Sequence, residues 1–136
     1  MAEVTRRQDG PSAVRRGRVL LIDDEPSVRR AMSRMIALDH DVVAVGGGHE
    51  ALERLRAGER FDAILCDLMM PAMTGGEFFQ ELSRTLPELV DSVIFVTGGA
   101  VTPAAQDFLE RVPNHRIEKP FDAERLLTLL RERLQA

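Results

Sequence analysis

Residues 19–26 read VLLIDDEP: four consecutive apolar residues run straight into two adjacent aspartates, and Glu25 leads to a proline. A strand with one wet face alternates apolar and polar residues, so an unbroken apolar run predicts a strand buried on both faces, the situation of a parallel sheet covered by helices. Pro26 suits the first turn of a helix. Val28, Ala31, Met32, Met35, Ile36 and Leu38 then recur at helical spacing, while Arg29, Arg30 and Arg34 fall on the other side. Strand, acidic turn and helix make one βα unit.

The same rhythm continues downstream. Asp41 to Val45 predicts a second, shorter strand, closed by Gly46-Gly47-Gly48, and Ala51, Leu52 and Leu55 mark a helix that stops at Gly58. The third strand is expected over residues 61–66, ending in Asp67, with a loop from Leu68 to Gly76 in which Thr74 can cap a helix carrying Phe78, Phe79, Leu82 and Leu86. Pro87 ends that helix. Val93 to Val96 predicts a fourth strand that delivers Thr97 to Gly98-Gly99, and a helix follows from about Thr102 to Arg111. A weak fifth strand, His115 to Glu118, runs into Lys119-Pro120, and a last helix from Asp122 to Leu134 is expected to bury Leu126, Leu127, Leu129 and Leu130. Five βα units predict an α/β domain with a doubly wound parallel sheet. The Gly46–Gly48 triplet reads as turn material, since neither a GxGxxG pattern nor a GK[ST] ending accompanies it.

Composition narrows the function. The 136 residues are 44% hydrophobic, enough for one domain. No apolar run approaches the ~20 residues that span a bilayer, and the N-terminal stretch lacks the apolar centre of a signal peptide, so a cytoplasmic protein without a membrane partner is expected. The single cysteine, Cys66, excludes an internal disulfide framework and a cysteine-based zinc cluster. Residues 1–18 carry five arginines against Glu3 and Asp9, a net +3, which leaves −7 on the rest of a chain whose total is −4. An acidic body argues against direct nucleic-acid binding. The basic head, broken by Gly10-Pro11-Ser12 and lacking apolar periodicity, is expected to be a flexible linker or tail over residues 1–17, with the folded domain over residues 18–136.

In an open parallel sheet, chemistry sits at the carboxyl ends of the strands, near the point where strand order reverses. There this chain places Asp23 and Asp24 after the first strand, Asp67 after the third, Thr97 after the fourth and Lys119 after the fifth. Three converging carboxylates repel one another unless a cation neutralises them. An oxygen-only donor set favours Mg²⁺ over zinc. A carboxylate can also hold a phosphoryl group as an acyl phosphate, with metal and ammonium neutralising its oxygens. Lys119 stands out because seventeen of the eighteen basic residues are arginine, and a lysine supplies a compact point charge where a guanidinium fork takes more room. An aspartate pair that merely caps a helix, or a threonine that merely makes a turn, does not account for the convergence of all five. Cys66 points away from Asp67 on its strand and is expected to be a small buried hydrophobe, while His40, His49 and His115 are expected at the surface or in turns.

Taken together, VLLIDDEP, ILCDLMMP followed by TGG, VIFVTGG and EKPF resemble the receiver domain of two-component response regulators, over Arg18 to Leu134. The resemblance implies a flavodoxin-like fold, a five-stranded parallel sheet in the order 2-1-3-4-5 flanked by five helices. It implies that Asp67 is the phosphoacceptor, taking a phosphoryl group from a phosphohistidine on a histidine kinase or histidine phosphotransfer protein. Asp24 and Asp67 would bind Mg²⁺ directly, the Met69 backbone carbonyl would add a ligand, and Asp23 would act through a metal-bound water. Lys119 and Thr97 would bind the phosphoryl group, the bond to Pro120 would be cis, and Thr97 would move to repack the surface of helix four, strand five and helix five. The chain departs from the family at Arg116, which stands where receivers usually carry a Tyr or Phe that swings with the Thr. Either Arg116 pairs with an acid in one state, or signalling dispenses with that rotation.

The segment from Thr97 to Phe121 is also similar to receivers fused to hybrid histidine kinases, with Phe108 and Leu109 packing a short fourth helix. A module fused in cis to a kinase is the favoured expectation, and Met1 leaves a free-standing protein open. A docking-only receiver is the alternative, although all five site residues are present. A small Asp-nucleophile phosphatase of the haloacid dehalogenase type is less favoured, because that class carries Asp-x-Asp after its first strand whereas Asp23 and Asp24 are adjacent. Met69 and Gly99, flanking the site, offer no side chain to orient an attacking water, so an aspartyl phosphate here is expected not to be short-lived.

Overall fold

The computed structural model describes residues 16–98 and 102–135. Its elements are β1 (Arg18–Ile22), α1 (Pro26–Ala37), β2 (Asp41–Val45), α2 (Gly48–Arg56), β3 (Ala63–Asp67), α3 (Gly75–Thr85), β4 (Val93–Thr97), α4 (Pro103–Arg111), β5 (Arg116–Glu118) and α5 (Ala123–Gln135). All strands are parallel, in the order β2-β1-β3-β4-β5, as the resemblance implied. The apolar run of β1 therefore has a neighbour on each side: Ile22 lies opposite Val45 and also opposite Cys66. That register brings the residues following Ile22 and Cys66, which are Asp23 and Asp67, level with each other.

Side chains alternate across each strand and so divide the core in two. Leu20, Ile22, Ile64, Cys66, Val93 and Phe95 pack with α2, α3 and α4 on one face. Val19, Leu21, Ala63, Leu65, Ile94 and Val96 pack with α1 and α5 on the other. Strands β3 and β4 are buried throughout and β1 from Val19 on, and each fully buried Leu or Ile contributes about 1.5–3 kcal/mol. Packing on both faces is what holds the strand ends in place.

Local chemistry explains the helix starts. Pro26 opens α1, and Thr74 forms a capping box with Glu77: Thr74 Oγ1 accepts the Glu77 N–H at 3.1 Å and Glu77 Oε1 accepts the Thr74 N–H at 2.9 Å. Pro87 does end α3, but it also opens a 3-10 helix, Pro87–Ser92, that the sequence did not signal. The third strand begins at Ala63 instead of residue 61, because Asp62 is engaged by Arg18, whose N–H it accepts through Oδ2 at 2.8 Å. Leu38, counted with the apolar face of the first helix, falls just beyond α1 and is 68% exposed.

One expectation is corrected near the N-terminus. His40 is fully buried, its Nδ1 accepting the Gly17 N–H at 3.1 Å and its carbonyl accepting a bond from Arg16 at 3.2 Å. The tail expected over residues 1–17 lies outside the described residues except for Arg16 and Gly17, and these two are tied to the domain. Arg16 Nε pairs with Asp41 at 3.0 Å, and Gly17 is buried.

Gly75, the first residue of α3, sits against the strand end that carries Asp67. A Cβ there would meet the Asp67 carbonyl oxygen at 2.7 Å and Leu68 Cα at 2.8 Å, both backbone atoms that cannot swing aside. At Gly76 the nearest atoms are Phe108 ring carbons at 3.6 Å, an ordinary contact. Gly75→Ala is therefore expected to destabilise the domain by about 1–3 kcal/mol. Gly76→Ala should be neutral or stabilising by up to about 1 kcal/mol. Urea unfolding followed by far-UV circular dichroism distinguishes the two.

Candidate functional site

The acids expected to converge do so at the carboxyl edge of the sheet, beside the β1/β3 junction where strand order reverses. Asp23, Asp24 and Asp67 each offer a carboxylate oxygen, and these oxygens lie within 4.8 Å of one another. Asp23 and Asp67 are buried, and Asp24 is exposed. Thr97, the last residue of β4, is buried at the same edge. Lys119 follows β5 with its Nζ 3.8 Å from Asp67 Oδ2, and its peptide bond to Pro120 is cis.

Hydrogen bonds to the backbone hold Asp23, Asp67, Thr97 and Lys119. Asp23 donates its N–H to Val45 O at 3.2 Å and accepts the Glu25 N–H on Oδ1 at 2.9 Å. Its carbonyl accepts a 2.7 Å bond from Arg29 Nη1. Asp67 accepts the Met69 N–H on Oδ1 at 3.3 Å, which ties the Met69 backbone to the site. Lys119 donates its N–H to the Thr97 carbonyl at 2.8 Å, so the two phosphoryl-binding candidates are clasped by the β4–β5 ladder. Arg29 and the Glu25 amide were not read from the sequence. Periodicity put Arg29 on the outer side of its helix, but its side chain is long enough to fold back over the first turn to a carbonyl at i−6.

The electrostatics are unbalanced. Burial is the main force raising the Asp23 carboxyl above its ordinary value, with Asp24 adding to it and the Glu25 amide, Lys119 and Arg29 opposing. Asp67 is raised as well, again chiefly by burial, with Asp23 and Asp24 adding and Lys119 and the Met69 amide opposing. The buried Cys66 thiol is pushed far up by burial and by both acids, so it stays protonated and packs as a hydrophobe. Asp23 Oδ2 is buried with no hydrogen-bond partner. An orphaned carboxylate oxygen beside two more carboxylates, with oxygen the only donor type, fits a hard divalent cation.

Among the described residues, Arg116 forms no ion pair with an acid. Its Nη2 donates to the Leu109 carbonyl at 3.0 Å, linking β5 to the end of α4. Gly99, named for the lifetime of an adduct, lies outside the described residues. Among the described residues, no helix is long and apolar enough to cross a membrane.

A family model of the response regulator receiver domain matches residues 19–131. This chain belongs to the response regulator receiver family. Its receiver fold and its place in two-component signalling follow from that membership. The receiver is 32% identical over 119 residues to the sensor kinase CckA of Brucella abortus, covering 86% of this chain and 12% of the kinase. It is 35% identical over 126 residues to the response regulator MprA of Mycolicibacterium vanbaalenii, covering 87% of this chain and 50% of MprA. The chain thus spans half or less of these curated relatives. Among solved structures, it matches the receiver domain of the sensor histidine kinase PA1611 from Pseudomonas aeruginosa with a TM-score of 0.76 and 25% identity, covering 90% of this chain and 100% of that one. That structure has a magnesium ion coordinated in its active-site cleft. The chemotaxis protein CheY4 of Vibrio cholerae matches at 28% identity with a TM-score of 0.74, covering 87% of this chain and 98% of CheY4.

The raised carboxyls give a pH dependence in divalent-free buffer. A folded-state value above the unfolded one means that the folded protein holds more protons, so stability falls as pH rises from the ordinary carboxylate range through the raised value. Asp23→Asn removes one such group and keeps an oxygen to accept the Glu25 N–H. The variant is expected to be more stable than wild type near pH 7, by a margin that shrinks toward pH 4. Urea unfolding in EDTA across that range measures it, and a margin independent of pH would count against the assignment.

Proposed function

We propose that Asp67 is the phosphoacceptor of this receiver, taking a phosphoryl group from a phosphohistidine on a histidine kinase or histidine phosphotransfer protein. The supporting observation is the placement of Asp67: a buried carboxylate at a strand end, 3.8 Å from the one lysine in the chain and clustered with Asp23 and Asp24. Asp67 Oδ2 faces Lys119, and Oδ1 is held by the Met69 amide. In the transfer, the N–P bond of the donor imidazole breaks as an Asp67 oxygen bonds to phosphorus, and the imidazole leaves with a proton from solvent.

Asp23, Asp24 and Asp67, with the Met69 carbonyl, would hold Mg²⁺. Bound there, Mg²⁺ neutralises the clustered carboxylates and the oxygens of the transferring group. Lys119 would supply a positive charge to a phosphoryl oxygen, and its backbone bond to the Thr97 carbonyl ties the ends of β4 and β5 together beside Asp67. The Arg29 bond to the Asp23 carbonyl keeps the acidic turn in shape as charge accumulates. The only covalent chemistry in this reading is transfer onto Asp67 and slow hydrolysis of the resulting acyl phosphate, in which water attacks phosphorus and the Asp67 carboxylate and inorganic phosphate are released. A site with all its acids, its threonine and its lysine in place favours this reading over a docking-only receiver. Similarity to both a sensor kinase and a response regulator fits a module that works in the cytoplasm, either fused in cis to a kinase or beside one.

Incubation with acetyl phosphate and Mg²⁺ is expected to yield one phosphoryl adduct by intact mass. Mass is the readout of choice because the chain has neither Trp nor Tyr. EDTA or Asp67→Asn should abolish the adduct, and Lys119→Ala should slow its formation roughly 100-fold. Adduct formation that persists in Asp67→Asn would overturn the assignment. With Met69 and Gly99 offering no side chain to orient water, the adduct should outlast a few seconds, and complete Mg²⁺-dependent loss within seconds would contradict that.

A further inference from the structure

The helix α4 is lightly held. Of its nine residues only Phe108 and Leu109 are buried, and Phe108 packs edge-on against Phe95 at 5.2 Å and Phe79 at 5.5 Å. Its N-terminus is capped, since Thr102 Oγ1 accepts the Ala105 N–H at 3.1 Å. At its other end the chain leaves α4 in an extended conformation at Val112. The last four carbonyls of a helix have no partner within it. One of them, that of Leu109, is taken by Arg116.

Arg116 is well placed to transmit as well as to hold. It pairs in register with Phe95, two residues before Thr97 on the same face of β4, because Ile94 and Val96 belong to the opposite core. The bonds Phe95 N–H to His115 O at 3.0 Å and Lys119 N–H to Thr97 O at 2.8 Å bracket the three residues of β5. A shift at the end of β4 therefore carries β5, and with it the guanidinium that grips α4. Arg116 also shares a cleft with Lys119, Glu118 and Arg125. Where the family usually has a ring that swings, this chain has a hydrogen bond that spans strand and helix.

We propose that Arg116 is a positioning residue that holds the last turn of α4 through the Leu109 carbonyl and couples that helix to the phosphoryl site. The coupling rests on the phosphoacceptor reading of Asp67, whereas the holding does not. A helix with two buried side chains and, among the described residues, one side-chain hydrogen bond from another element has a low local stability that a small displacement can bias.

Hydrogen exchange followed by mass spectrometry tests both parts on the full chain. Without any phosphodonor, Arg116→Met, which keeps an apolar stem but no donor, should speed exchange of the α4 amides about tenfold, the scale of one net hydrogen bond. Arg116→Lys, which keeps a donor, should restore part of the protection. Exchange in α1 and α3 should be unchanged in both variants, which separates a local release from a general loss of stability. Equal α4 exchange in wild type and Arg116→Met, or faster exchange spread over every helix, would overturn the holding role. With acetyl phosphate and Mg²⁺, wild type should show faster α4 exchange, and Arg116→Met should show no further increase. An adduct seen by mass with α4 exchange unchanged would overturn the coupling while leaving Asp67 as acceptor. Absence of an adduct would instead remove the phosphoacceptor reading, and the coupling with it, and the comparison made without donor would still decide the holding role.

Discussion

Bringing three carboxylates within 4.8 Å of one another, two of them buried, opposes folding, and the rest of the architecture is arranged around that cost. The opposing force is apolar burial in the two central strands, whose residues are covered on both faces and flanked on both edges. Because β1 and β3 are adjacent and parallel, their ends arrive side by side whatever charge they carry. Packing free energy is thereby converted into a cluster of negative charge that neither burial nor a single lysine can balance. The charge and the oxygen-only donor set of this cluster are the features that the proposed Mg²⁺ would neutralise.

The acids are held more firmly than the neighbouring strand β5 and helix α4. Asp23 is fixed through its amide, its carbonyl and one carboxylate oxygen, and Asp67 through its place in a central strand and the Met69 amide. Gly75 lets the start of α3 close against the carbonyl of Asp67, so the loop that carries Met69 is pressed onto the strand end. By contrast, β5 is a three-residue edge strand, and α4 contributes two buried side chains. Packing is therefore unevenly distributed: dense around Asp67, sparse on the side where Arg116 joins strand to helix.

Much of this was legible in the residue pattern. Unbroken apolar runs at Val19–Ile22 and Val93–Val96 marked buried strands, Pro26 and Thr74 marked helix starts, and the polar residues ending those runs marked the site. The buried His40, the inward reach of Arg29 and the 3-10 helix after Pro87 were not legible. A histidine is polar in any composition count, yet His40 is buried because it accepts the amide of Gly17, a partner twenty-three positions away. Arg29 was sorted by the direction of its Cβ, whereas a long flexible side chain places its charge well away from that direction.

The order of strands and helices, the two-faced burial of the central strands and the identity of the strand-end acids, threonine and lysine are readable from the residues alone. These depend on local preference and on apolar periodicity, which act over a few residues. The resemblance added the strand order and the roles. Which carboxylate oxygen is left without a partner, which amides brace Asp23 and Asp67, and that Arg116 grips a helix carbonyl emerge from the packed chain. Those outcomes depend on distances between groups far apart in the chain, set by packing that no local pattern encodes.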